Sequence, residues 1–489
     1  MLHITKKEIV ILAILIIAVG AFYLGTIRDG HNWGGDFAMY IHHAKNIAEG
    51  IDYSDTGFII NPLNIIAPKT FPPIFPFLLS PIYKIFGLNL TAMKVEIIVM
   101  FLLSLIAIFV SFKDELRLRY RALLIAFIGF NVYFWSFSNN ILSDFPFLFF
   151  VYVNLFFIQN YYKSPGSKDP KLIHAFFLGL ILYLACGTRS IGITLVPSMM
   201  LYEIITRRKI SLFTITALAT LAALLVIQTI FFYSAGENLT FFSFKPKAII
   251  LNLIFHSKII SHLWFNGFNK LITLVLFIIT SIFAVIGYVC RVKKNLTIFE
   301  IFPLIYAIPV TLWPYLDGPR FLFPLLPLYV FFTFQGIHYF GKMKSLRIEK
   351  HIVVAITIAI SISYIARYSK ADFGPLQVGI ARQESIDLFD FVQQSTKPTD
   401  ICVFAKPRVL SLYAQRKSFI YPKIKKETYF WAYLLDMNAT YFIVGKNFST
   451  DYIYAIPFIK KYQRFFTPVY FNKDFAVFKI RKDLLPFKR

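Results

Sequence analysis

Charge is scarce in this sequence, and acid scarcest of all. Only 16% of its 489 residues are charged, with 26 Asp and Glu against 51 Lys and Arg, while 57% are hydrophobic. A soluble domain cannot hide that much apolar surface, so a soluble fold is excluded. Cysteine is rarer still: of three, Cys186 and Cys290 fall in or beside hydrophobic runs and only Cys402 lies in a polar region. That excludes a disulfide framework and a thiolate metal site. His42 and His43 are neighbours on a predicted helix and cannot face one site, and no Cys or carboxylate set stands at ligand spacing. A Gly-rich nucleotide loop is also missing from the polar C-terminal tail.

What is present is a series of hydrophobic runs of roughly 20 residues, the length that crosses a bilayer. The net charge of +25 is concentrated in the short loops between runs, which points to membrane orientation and anionic lipid headgroups rather than nucleic acid. The expected spans are 9–27, 90–112, 122–138, 145–162, 172–187, 190–206, 210–233, 270–290, 297–314, 320–340 and 351–367, about eleven. The first is too long for a signal-peptide core and is read as retained. Every second loop is basic: Lys6 and Lys7; Lys113, Arg117, Arg119 and Arg121; Lys163, Lys168 and Lys171; Arg207-Arg208-Lys209; Arg291, Lys293 and Lys294; and Lys342, Lys344, Arg347 and Lys350. The expectation is a multi-pass plasma (inner) membrane protein with a cytoplasmic N-terminus and an extracytoplasmic C-terminal domain. Residues 28–89, 234–269 and the tail from 368 would lie outside.

The two units are therefore 1–367, a transmembrane domain, and 368–489, a small α/β domain. In the tail, Gln383 to Gln394 reads as an amphipathic helix, and 400–404, 441–444 and 475–480 as short strands. It is expected to serve as a rigid lid or acceptor platform over the membrane site rather than as a second catalytic unit. In the first outer region, Phe37, Tyr40, Ile41, Ala44, Ile47 and Ala48 recur at helical spacing up to Gly50, a helix lying on the membrane surface. A second surface or re-entrant helix follows in the run from Phe71 to Gly87, apolar but holding four prolines.

The polar residues gather at outer span ends: His31-Asn-Trp-Gly-Gly-Asp36, then Leu142-Ser-Asp144-Phe-Pro146, Gly187-Thr-Arg189 and Asp317-Gly-Pro-Arg320. Asp36 and Asp144 each also stand where a carboxylate would cap a helix. This order of span, Gly-Asp loop, surface helices and Phe-Pro-Pro run resembles the GT-C superfamily of integral-membrane glycosyltransferases. More narrowly it resembles the glycosyltransferase family 39 and aminoarabinose-transferase-like branch. The basic residue that relatives place directly before the Pro-Pro pair is displaced here, with Thr70 and Phe71 between Lys69 and Pro72.

The resemblance implies transfer of a monosaccharide from a polyprenyl-phosphate-linked donor to a lipid, glycan or protein acceptor on the outer face, by inverting displacement. Asp36 would be the general base, with Asp144 a second catalytic carboxylate. Lys69, Arg189 and Arg320 would bind the substrate phosphate. A divalent ion held by Asp36 and Asp144 is the cofactor these carboxylates would allow; no other cofactor and no histidine metal site is expected, and the protein is expected to be a monomer. Two other readings compete. A lipid-glycan transporter or flippase would carry charge in mid-span, of which these spans are nearly free; a glycan ligase or polymerase would differ in donor and acceptor size.

Overall fold

The computed structural model describes residues 4–60, 68–162, 172–232, 246–264, 270–294, 296–313, 318–344 and 346–484. Lys163, Lys168, Lys171 and Asp317, and part of the outer region 234–269, lie outside them.

The first helix, α1 (Lys6–Gly25), starts at a capping box in which Thr5 and Glu8 satisfy each other's backbone amides. The two surface helices follow: α2 (Gly35–Glu49), ended by Gly50 in the left-handed region at φ 70°, and α3 (Ile74–Phe86), ended at Gly87. A bundle is then built from α4 (Leu90–Ser111), α5 (Leu118–Gly129), α6 (Val132–Ser138), α7 (Asp144–Tyr162), α8 (Leu172–Thr188), α9 (Leu195–Arg207), α10 (Leu212–Phe232), α11 (Pro246–His262), α12 (Lys270–Lys294), α13 (Ile298–Leu312), α14 (Leu326–Lys344) and α15 (Leu346–Tyr368).

Each of the eleven expected spans falls on helix. Among the described residues five helices (α1, α4, α10, α12 and α15) are long and apolar enough to cross a bilayer, and six if α5 and α6 form one span. Those two meet at a 52° bend, where Asn131 stops one helix and caps the next through the Tyr133 amide. The run 122–138 is thus a broken span, not a straight one. Helix α7 is less apolar because protein surrounds it: Asn154 donates to the Ile181 carbonyl at 2.9 Å and Gln159 to Glu115 at 3.3 Å. One helix was not expected. α11 occupies part of the outer region 234–269 and is anchored by Asn252, which donates to the Thr311 and Trp313 carbonyls.

The end of the bundle away from Asp36 holds the basic loops, and part of their charge is consumed internally. Arg121 pairs with Glu8, while Arg291 bridges Glu115 (2.8 Å) and Glu300 (2.5 Å). Arg121 and Arg291 are therefore buried side chains rather than headgroup contacts.

After α15 the chain forms an α/β unit with α16 (Gln383–Ser395), β1 (Ile401–Val403), α17 (Pro407–Ala414), β2 (Lys417–Phe419), α18 (Glu427–Asp436), β3 (Tyr441–Gly445), α19 (Ile456–Lys461), β4 (Phe466–Phe471) and β5 (Phe475–Ile480). The sheet order is β2-β1-β3-β5-β4, parallel on the first side of β3 and antiparallel on the other. Two of these strands escaped the sequence pattern. β2 has three residues, and β4 carries Pro468 at a register shift on the sheet edge, where a missing amide is tolerated.

This unit is seated on the first outer loop. Trp33 sits in a box of Phe389, Phe404, Phe448 and Phe475 at centroid distances of 5.4–6.0 Å. The loop also pairs with the open edge of β2, with Ile59 donating to the Ser418 carbonyl and Ser418 to that of Gly57, both at 2.9 Å. The Ile380 amide donates to the His31 carbonyl at 3.0 Å.

Candidate active site

Asp36 lies in the first turn of α2. It does not cap that helix: Gly34 holds the cap position and makes no side-chain bond, and Asn32 turns the loop by accepting from the Gly34 amide. The carboxylate is therefore left for other partners, with the positive end of the helix beneath it. Asp36 Oδ2 accepts from Arg320 Nη1 at 3.1 Å and Oδ1 from Arg408 Nη1 at 3.3 Å. Arg320 also reaches Asp144 Oδ1 through Nε at 3.4 Å, and the same oxygen accepts from Arg189. The result is an alternating chain, Arg189–Asp144–Arg320–Asp36–Arg408, three cations against two carboxylates.

Local packing fixes each member. His31 stacks on Phe37 with centroids 3.7 Å apart and accepts the Ile141 amide on Nε2. It thereby ties the loop before Asp36 to the loop before Asp144. Burial outweighs its bonds and lowers the imidazole to about 4, so it is neutral at physiological pH. Tyr40 and Ser143 share a hydrogen bond of 2.9 Å one turn along. Arg189 lies over Phe321 at 5.2 Å, and Arg408 is wedged between Phe58 and Phe71, each 5.0 Å from its guanidinium, with Nη2 donating to the Pro68 carbonyl.

Exposure separates the members. The side chain of Asp36 is 38% exposed, whereas that of Asp144 is 4% and of Arg408 9%. Asp36 is the member a ligand can reach. Burial pushes its carboxyl up, but Arg320 and Arg408 outweigh that and hold it below the usual carboxylate range.

Four of the five residues picked from the sequence thus converge. Lys69 is exposed on the loop before α3, and its charge acts on Asp52. Arg408, from the C-terminal unit, was not foreseen. One signal was available. A cation at the start of a helix opposes the helix dipole, and α17 has Lys406 at its cap position and Arg408 in its first turn.

Arg320 lies between the two carboxylates and bonds to both, and among the described residues no group of three His, Cys, Asp or Glu could hold a metal.

No protein-family model matches the sequence, and no curated protein matches it either. Solved structures do. The oligosaccharyltransferase of Archaeoglobus fulgidus in complex with zinc and sulfate superimposes with a TM-score of 0.63 at 13% identity, over 95% of this chain and 72% of that one. The same organism's AglB, in complex with an inhibitory peptide and a dolichol-phosphate, gives 0.61 at 11%, over 98% and 75%. ArnT from Cupriavidus metallidurans bound to undecaprenyl phosphate gives 0.57 at 11%, over 97% and 98%. At such identities the likeness is one of fold, and it runs nearly end to end: this is a polytopic membrane protein with the GT-C fold.

Proposed function

We propose that the protein is a membrane glycosyltransferase that moves a monosaccharide from a polyprenyl-phosphate donor to an acceptor hydroxyl, with Asp36 as general base. The observation that carries this reading is the open Asp36 carboxylate clasped by two guanidinium groups at the mouth of the bundle. Two of the structural neighbours are described with polyprenyl phosphates bound, which supports a lipid-phosphate donor.

The chemistry suits the arrangement. Attack of the acceptor oxygen on the anomeric carbon forms one C–O bond and breaks the bond to the phosphate oxygen, inverting the centre. The acceptor proton passes to Asp36, and the lipid phosphate leaves with the bonding pair. Arg320 and Arg189 face that developing charge in a partly desolvated site. A carboxylate with a lowered pKa is fully ionised but a weak base. The phosphate is a stronger anion and competes with Asp36 for Arg320, so donor binding itself raises the basicity of Asp36. Residues 1–367 form the transmembrane catalytic unit in this reading. Residues 368–489, on the outer face, complete the site through Arg408.

The test is Asp36→Asn in purified protein given a polyprenyl-phosphate sugar. Loss of a general base costs on the order of 100-fold or more in kcat; transfer at near wild-type rate would remove Asp36 from that role.

A further inference from the structure

A second polar cavity opens at the same end of the bundle, built from residues that take no part in the catalytic chain. It holds about 250 Å³ and is lined by Arg28, Tyr133, His262, Arg367, Lys370 and Asp372. Arg28 bonds to Asp372 at 2.5 Å, and the lining holds three Arg or Lys side chains and one carboxylate. Arg367 lines this space together with Tyr133 and His262.

Adjoining it is an apolar recess of about 620 Å³, walled by Phe22, Leu123, Phe127, Phe130, Ile360 and Ile365. Tyr364 lines both spaces and is fixed there, donating to the Phe127 carbonyl at 2.9 Å and accepting from Asn131 at 2.8 Å. Along α15 the recess runs from Thr357 to Ser369, about 18 Å at the helical rise. One leaflet of hydrocarbon is about 15 Å deep. Trp135, Tyr368 and Phe373 pack together beside the polar cavity, the aromatic grouping that marks headgroup depth. A basic cavity at that depth, adjoining at Tyr364 an apolar recess one leaflet long, has the charge and the shape of a single kind of ligand.

We propose that this paired site binds an anionic phospholipid, its phosphate between Arg367, Lys370 and Arg28 and one acyl chain in the recess. The site is independent of the sugar-transfer reading. A lipid there braces α15, the helix that carries the C-terminal unit, against α1 and α5.

Native mass spectrometry of the full-length protein, titrated with phosphatidylglycerol and with phosphatidylcholine, tests it. One phosphatidylglycerol is retained in preference to phosphatidylcholine. Arg367→Gln with Lys370→Gln weakens retention about thirtyfold, about fivefold for each cation near the anionic headgroup. Ser361→Trp, at an exposed position on the recess wall, lowers retention without touching the cations, and Asp36→Asn leaves it unchanged. Equal retention of phosphatidylcholine, retention unaffected by either variant, or displacement of phosphatidylglycerol by an equimolar polyprenyl phosphate would each overturn the assignment.

Discussion

Asp36 is held by one guanidinium from the membrane bundle and one from the C-terminal unit, and the two are not equivalent. Arg320 is shared between Asp36 and Asp144, whereas among the described residues Arg408 donates to Asp36 and to the Pro68 carbonyl. The other charged and titratable groups acting on Asp36 are Arg189, Lys406 and Tyr40. With Arg408 in place, the carboxylate stays ionised well into the acid range. Arg408→Gln removes a positive charge, so the Asp36 pKa rises and the acidic limb of the kcat/KM profile moves to higher pH. Arg408→Lys keeps the charge and leaves that limb close to its wild-type position. A purely structural loss would lower kcat/KM evenly across pH and leave the limb in place.

At the scale of elements, the C-terminal unit contributes Arg408 to the charged cluster around Asp36. Trp33 enters its aromatic box, the loop at Phe58 extends its sheet, and Arg408 returns the contact from α17. Removing the Trp33 side chain, buried to 7% exposure, opens a cavity at the junction. A buried Trp→Ala change costs on the order of 3–5 kcal/mol. Trp33→Ala should lower the thermal midpoint, speed protease cutting between α15 and α16, and reduce transfer with Asp36 intact. An unchanged proteolysis pattern would show that Trp33 does not hold the junction.

The same elements show what the sequence could disclose. α2 was legible because its apolar residues keep helical period and Gly50 ends it. α11 was not, since Asn252, His256 and Lys258 interrupt its apolar pattern. The chemistry-bearing residues were legible as types at span ends. Their chain was not, because Asp36 and Arg408 are 372 residues apart in sequence, and only tertiary packing brings them together.

At the scale of the whole molecule, orientation decides whether this chemistry meets its donor. One end of the bundle carries Lys6, Lys7, Lys113, Arg117 and Arg207-Arg208-Lys209; the other carries the Asp36–Arg320 cluster and the C-terminal unit. Arg121 and Arg291 are spent in buried ion pairs, so orientation rests on the remaining basic residues, whose bias toward the cytoplasm is the general rule. The three native cysteines, two of them buried, can be replaced to give a clean background for labelling. A cysteine at exposed Lys69 or Lys397 should then react with an impermeant maleimide in intact cells, and one at exposed Lys209 only after lysis. The reverse pattern would put Asp36 on the cytoplasmic face. The outer-face reaction would then fail, even if Asp36→Asn abolished transfer in purified protein.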